Sequence, residues 1–130
     1  MEDAGKPLST SPHKGKTGLR RVWNAIFYSI DGFRAAYQHE DAFRQEALLA
    51  ALLIPIALFL PASGTGKAVM IASVLLVLLV ELLNSAVEAT VDRISLENHQ
   101  LAKRAKDIGS AAVMLSLANA GVVWLLIILS

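Results

Sequence analysis

The residues best equipped for chemistry sit where they are most expensive. Glu81, Asn84, Ser85 and Glu88 occupy the C-terminal half of an apolar run that begins at Ala68, and Asp92 follows directly on its end. A helix turns about 100° per residue, so Glu88 and Asp92 fall within about 20° of Glu81, Ser85 within about 40° and Asn84 within about 60°. All five form one polar stripe. A carboxylate inside a membrane span costs at least about 2.5–3.5 kcal/mol on insertion scales, so two of them in one span point to function. Two further groups flank that stripe in sequence. His39-Glu40-Asp41-Ala42-Phe43-Arg44-Gln45-Glu46 precedes one apolar run, and Lys103-Arg104-Ala105-Lys106-Asp107-Ile108-Gly109-Ser110 enters another. On a continuous helix Glu40 pairs with Arg44 at i,i+4. Carboxylates from two helices at one depth can hold Mg²⁺, which takes oxygen ligands and bridges to substrate phosphates. Basic residues beside them can neutralise phosphate or serve as topological anchors. The chemistry so outlined is phosphoryl transfer at a membrane surface, or a proton- or cation-coupled transporter using Glu81 and Glu88.

Three apolar segments must position these groups. Ala47 to Leu60 carries no charge, Ala68 to Val91 carries only Glu81 and Glu88, and Ile108 to Leu129 carries none. About 20 residues of helix cross a 30 Å hydrocarbon core. The expected spans are residues 43–61, 68–91 and 108–129, giving an all-α membrane protein with three transmembrane helices in a single domain, 19–130. Of 130 residues, 55% are hydrophobic and 18% charged, against about 45–50% and 25% in soluble domains. Residues 1–46 hold seven Lys and Arg, the connection 61–67 holds only Lys67, and 92–107 holds Arg93, Lys103, Arg104 and Lys106. The positive-inside bias places the N-terminus and the second connection in the cytoplasm and Ser130 outside.

Residues 1–18 are rich in Gly, Pro, Ser, Thr and Lys and read as a disordered tail. No apolar core lies near Met1, so no cleavable signal peptide is expected. From 19 to 38, Leu19, Val22, Trp23, Ile26, Phe27, Ile30, Phe33 and Tyr37 recur every three or four residues. That spacing predicts an amphipathic helix, and its aromatics with Arg20, Arg21 and Arg34 suit the bilayer interface.

Several readings are excluded. With no cysteine, disulfide scaffolds, thiolate metal sites and cysteine nucleophiles are absent. A net charge of +1 gives no support for nucleic-acid binding. His13, His39 and His99 lack zinc-ligand spacing. Gly64-Thr65-Gly66-Lys67 ends like a phosphate-binding loop, but Pro61 and Ala68 stand where that pattern needs Gly and Ser or Thr; it reads as a turn. Ala112, Ser116 and Ala120 form a small-xxx-small row suited to close helix approach.

Glu81-x-x-Asn84-Ser85-Ala86-Val87-Glu88-x-x-Val91-Asp92 resembles the signature of the prokaryotic diacylglycerol kinase family. Glu40-x-x-Phe43-Arg44-Gln45-Glu46 and Ala105-Lys106-Asp107-Ile108-Gly109-Ser110-Ala111-Ala112-Val113 resemble the same family in order and spacing, and the likeness covers residues 19–130. The resemblance implies a homotrimeric helical bundle of three-span subunits in the bacterial inner membrane, each with a surface helix on the cytoplasmic face. It implies transfer of the γ-phosphate of MgATP to diacylglycerol, giving phosphatidic acid. It assigns Glu81 as general base, with Asn84 orienting it, and Glu40 and Glu88 as Mg²⁺ ligands that also meet the nucleotide. Arg21, Tyr28, Glu97, Asn98, His99, Lys106 and Asp107 complete the ATP site. Lipid contacts fall on Arg21, Ala25, Ile26, Phe27, Tyr28, Ser29, Ile30, Arg34, Ala35, Ala36 and Tyr37 of the surface helix. Further ones fall on Ala42, Phe43, Arg44, Gln45, Glu46, Glu81 and Ser110. Asn24, Ile30 and Asp31 depart from the familiar pattern of that helix. Relatives that phosphorylate undecaprenol share the acidic stripe, whereas Gln45-Glu46 and Gly109-Ser110 look like the diacylglycerol branch.

Overall fold

A computed structural model describes residues 18–94 and 99–130. It consists of four helices in chain order: α1 (Gly18–His39), α2 (Asp41–Phe59), α3 (Gly64–Ile94) and α4 (Gln100–Leu129). The chain falls into two compact units that meet between Ala35 and Ala36.

The first unit comprises the described residues 18–35 of α1. Its apolar residues recur as one stripe, all of them exposed, with the Trp23 and Phe27 rings edge-on at 5.2 Å between centroids. No other helix of this unit covers that stripe, which accords with an amphipathic helix whose apolar face is meant for lipid.

The second unit, from Ala36 onward, holds α2, α3 and α4, each long and apolar enough to cross a membrane. α3 packs against both α2 and α4. The protein is therefore an all-α membrane protein with three candidate spans. Its apolar core is a narrow seam of Ala36, Phe43, Ala50, Ala57, Met70, Val74 and Val77. Small residues at Ala50 and Ala57 let α2 lie close, while the outward Leu, Ile and Val side chains suit hydrocarbon.

The helix ends differ from those expected for reasons that are local. α2 stops at Phe59 because Leu60 precedes Pro61; the proline ring forces its neighbour to an extended conformation, and Leu60 has φ −70°, ψ 151°. Pro55 is tolerated inside α2. The Gly64-Thr65-Gly66-Lys67 stretch forms the first turn of α3 rather than a turn between helices. Ser63 caps it: Gly66 N–H donates to Ser63 Oγ at 3.0 Å and Lys67 N–H to the Ser63 carbonyl at 2.9 Å. α3 and α4 run past the apolar stretches 68–91 and 108–129 because hydrocarbon thickness limits the apolar run and not the helix. His99 caps α4, its Nδ1 accepting from Leu101 N–H at 3.0 Å. The expected tail 1–18 lies outside the described residues except for Gly18.

The Glu40–Arg44 pair does not form as expected. Glu40 stands at the break between α1 and α2 with φ −117°, ψ 108°, so its side chain is not one helical turn below Arg44. The Arg44 guanidinium instead pairs with Asp41 and donates to the Tyr37 carbonyl at 2.5 Å. It also lies 5.9 Å from the Tyr37 ring centroid. Arg44 thus satisfies a carbonyl that the end of α1 leaves without a helical donor.

Candidate functional site

The acidic stripe on α3 runs from buried to open. Glu81 is 4% exposed. Asn84, Ser85 and Glu88 are half-buried and Asp92 is exposed. Two other helices bring charged groups to this face. From α2, the half-buried Glu46 carboxyl comes within interaction range of the Glu81 carboxyl. Glu40, at the N-cap of α2, acts electrostatically on Glu88. From α4, Lys106 Nζ reaches Asp92 Oδ1 at 2.6 Å and its charge also acts on Glu88. Three helices therefore converge on one polar end of the second unit.

The α3–α4 hairpin explains how Lys106 gets there. Asp92 meets Lys106 near the connection, and Trp124 Nε1 donates to the Met70 carbonyl at 3.1 Å far along the bundle. An antiparallel pair in that register carries the start of α4 past the end of the stripe. Neither contact was evident from the sequence, because each depends on how two helices are aligned across the 95–98 connection.

The same end contains polar atoms shielded from solvent and without a hydrogen-bond partner: Glu46 Oε2, Asn84 Oδ1 and Ser85 Oγ. Such atoms are costly, and in native proteins each has a reason. Their gathering about Glu81 marks a place built for something other than stability.

Other expected site residues are distributed as follows. Phe43 and Ala36 lie in the apolar core, Arg44 makes the α1 contacts given above, and Ala42, Gln45 and Ser110 are exposed. Asp107 accepts from Lys103 Nζ at 2.7 Å. Arg21, Ala25, Ile26, Phe27, Tyr28, Ser29, Ile30, Arg34 and Ala35 belong to the first unit, and Tyr37 to the second. Glu97 and Asn98 lie outside the described residues.

This arrangement can be set beside known proteins. The sequence profile of the family described as prokaryotic diacylglycerol kinase matches residues 27–128. The chain belongs to the prokaryotic diacylglycerol kinase family. Membership makes it an enzyme, a kinase. Among the relatives is a diacylglycerol kinase of Pseudomonas aeruginosa, 56% identical over 122 residues, covering 94% of this chain and 99% of that protein. A diacylglycerol kinase of Haemophilus influenzae is 50% identical over 108 residues, covering 83% and 92%. That of Escherichia coli K12 is 46% identical over 114 residues, covering 88% and 93%. The profile match takes in all three groups of residues that carry the resemblance.

Proposed function

We propose that the chain transfers the γ-phosphate of ATP to the free hydroxyl of diacylglycerol, with Glu81 as general base and the half-buried face of α3 as the reaction surface. The burial of Glu81 beside Glu46 and Asn84, in a kinase of this family, carries the proposal. A carboxylate at the polar end of a membrane helix sits at the depth where a lipid hydroxyl resides.

The residues present fit a divalent cation. Glu40 and Glu88 are electrostatic neighbours, and both offer oxygen donors to a hard ion. Among the described residues no group of three or more His, Cys, Asp or Glu side chains is gathered to hold a metal. Two carboxylates with the remaining positions left to phosphate and water is the usual habit of Mg²⁺. Bound there, Mg²⁺ supplies neutralisation of phosphate charge.

The chain's own groups do the rest. Glu81 takes the proton from the lipid hydroxyl as its oxygen bonds to the γ-phosphorus. The bond from that phosphorus to the bridging oxygen breaks, and ADP leaves with the electron pair. Asn84, one turn from Glu81, orients the carboxylate. Lys106, held at the level of Glu88 by Asp92, offsets charge on the phosphates. Asp107 and His99 border the nucleotide, while the exposed Gln45 and Ser110 face the lipid substrate.

The Lys and Arg distribution supports a cytoplasmic N-terminus and a C-terminus on the far side of the bacterial inner membrane. The thin internal core supports assembly with further copies, and the family resemblance makes that assembly a homotrimer. Labelled γ-phosphate transfer in mixed micelles tests the reaction, with diacylglycerol and undecaprenol offered separately. Label in phosphatidic acid is the expected result; label confined to the polyprenol overturns the substrate. Mixing inactive single-site variants tests assembly: recovered activity is expected if neighbouring copies share sites.

A further inference from the structure

Gly109 lies on α4 where that helix crosses the stripe of α3. It is the glycine with the least room in the described chain. A Cβ built on Gly109 would run into Asn84 Oδ1, and would lie 3.2 Å from Asn84 Cγ. Gly32, Gly64 and Gly121 have nothing within 4 Å of the same point. The atom met at Gly109 is also one of the three shielded polar atoms that have no hydrogen-bond partner. The Gly109 backbone, with only a hydrogen on that side, therefore closes against the amide oxygen of Asn84.

We infer that Gly109 is a positioning residue for phosphoryl transfer: its missing side chain is the slot that fixes the Asn84 amide. The Asn84 amide occupies the space a side chain at 109 would take, so it cannot keep this position once that space is filled. Its oxygen is turned toward α4, which leaves the NH₂ group as the part of the side chain able to act elsewhere. The slot lies in the α3–α4 hairpin between the Asp92–Lys106 ion pair and the Trp124–Met70 hydrogen bond. The step from positioning to catalysis rests on the proposed roles of Glu81 and Asn84. The steric coupling of Gly109 to Asn84 does not.

Alanine forms helices better than glycine, so Gly→Ala at an open helical position stabilises. At Gly109 the sign should reverse. Gly109→Ala is expected to lower the thermal unfolding midpoint in micelles and to reduce kcat by about 10- to 100-fold, as small misplacements of active-site groups do. The KM for ATP should change by less than about threefold, since the Asn84 amide acts on the base and not on the nucleotide. The deciding measurement is a double-mutant cycle. In the Asn84→Ala background the obstructing amide is gone, so adding Gly109→Ala should cost less than about twofold in kcat and leave the midpoint unchanged or raised. If Asn84→Ala is itself inactive, the midpoints alone decide. If Gly109→Ala does not fold, the double variant should fold again. Full activity and stability in Gly109→Ala overturns the inference, as do losses that simply multiply or a double variant that also fails to fold. Turnover surviving in Glu81→Gln, with the coupling still present in the midpoints, would overturn the base assignment and leave the Gly109–Asn84 contact standing.

Discussion

The two ends of the three-helix unit treat buried polar groups in opposite ways. Around Met70, which is 0% exposed, the Ser73 hydroxyl and the Trp124 indole both donate to the Met70 carbonyl, at 2.7 and 3.1 Å. Ser63 caps α3 at the same end. Around Glu81, by contrast, Asn84 Oδ1, Ser85 Oγ and Glu46 Oε2 are shielded and unpaired, and acidic groups crowd together. In hydrocarbon an unsatisfied polar group costs several kcal/mol. The first end uses polar groups to hold helices in register. The second tolerates polar cost, which is the habit of a functional site.

The comparison breaks most visibly at Glu81. Glu81→Gln keeps the size and removes the proton acceptor. Turnover should fall by on the order of 10²–10⁴, the usual worth of a general base. Nucleotide binding should stay near that of the unaltered protein; equal loss of both would show that Glu81 binds rather than reacts.

Glu88→Gln comes next. If Glu40 and Glu88 share a cation, removing one charge should raise the Mg²⁺ concentration needed for half-maximal activity by about tenfold or more, the worth of a charged contact. Activity that is reduced with an unchanged Mg²⁺ dependence would take Glu88 out of the metal site.

A smaller effect is expected at Lys106. Lys106→Met keeps the aliphatic stem and removes the charge. The loss should appear mainly in the KM for ATP, by about 10-fold, the lower end of what a charged hydrogen bond contributes. Asp92→Asn frees the same ammonium and should change that KM less. Equal effects would mean that the ion pair, and not the phosphate, is what Lys106 serves.

Much of this site was legible because its information is internal to one helix. The spacing of Glu81, Asn84, Ser85, Glu88 and Asp92 sets a common face whatever surrounds it, and the three spans follow from apolar length. What escaped involves two elements at once. Glu40 and Arg44 look like a helical pair until the chain breaks at Glu40 and hands Arg44 to Asp41 and the Tyr37 carbonyl. Glu46 meets Glu81 only because α2 lies along α3, and Lys106 meets Asp92 only in the hairpin register. In the sequence Gly109 is one residue of a motif, whereas its close approach to Asn84 belongs to the helix interface. Spacing along a chain carries no record of such alignments.

The other end of the bundle offers the last and smallest test. Trp124→Phe keeps a large aromatic ring on α4 and deletes the Nε1 donor, leaving the Met70 carbonyl with the Ser73 hydroxyl and its helical partner. Hydrogen bonds between membrane helices average about 0.6 kcal/mol, so the expected loss of stability is about 0.5–1.5 kcal/mol once the lost ring atoms are included. Reversible unfolding in mixed micelles would measure it. Because the polar cost at Glu81 is separated from the satisfied end by the apolar seam at Val74 and Val77, kcat per folded molecule should not change. A fall in kcat at constant stability would show that the register of α4 is transmitted to Lys106 and Gly109. The two ends would then be one device, with the indole at Trp124 setting the height at which α4 meets the acidic stripe.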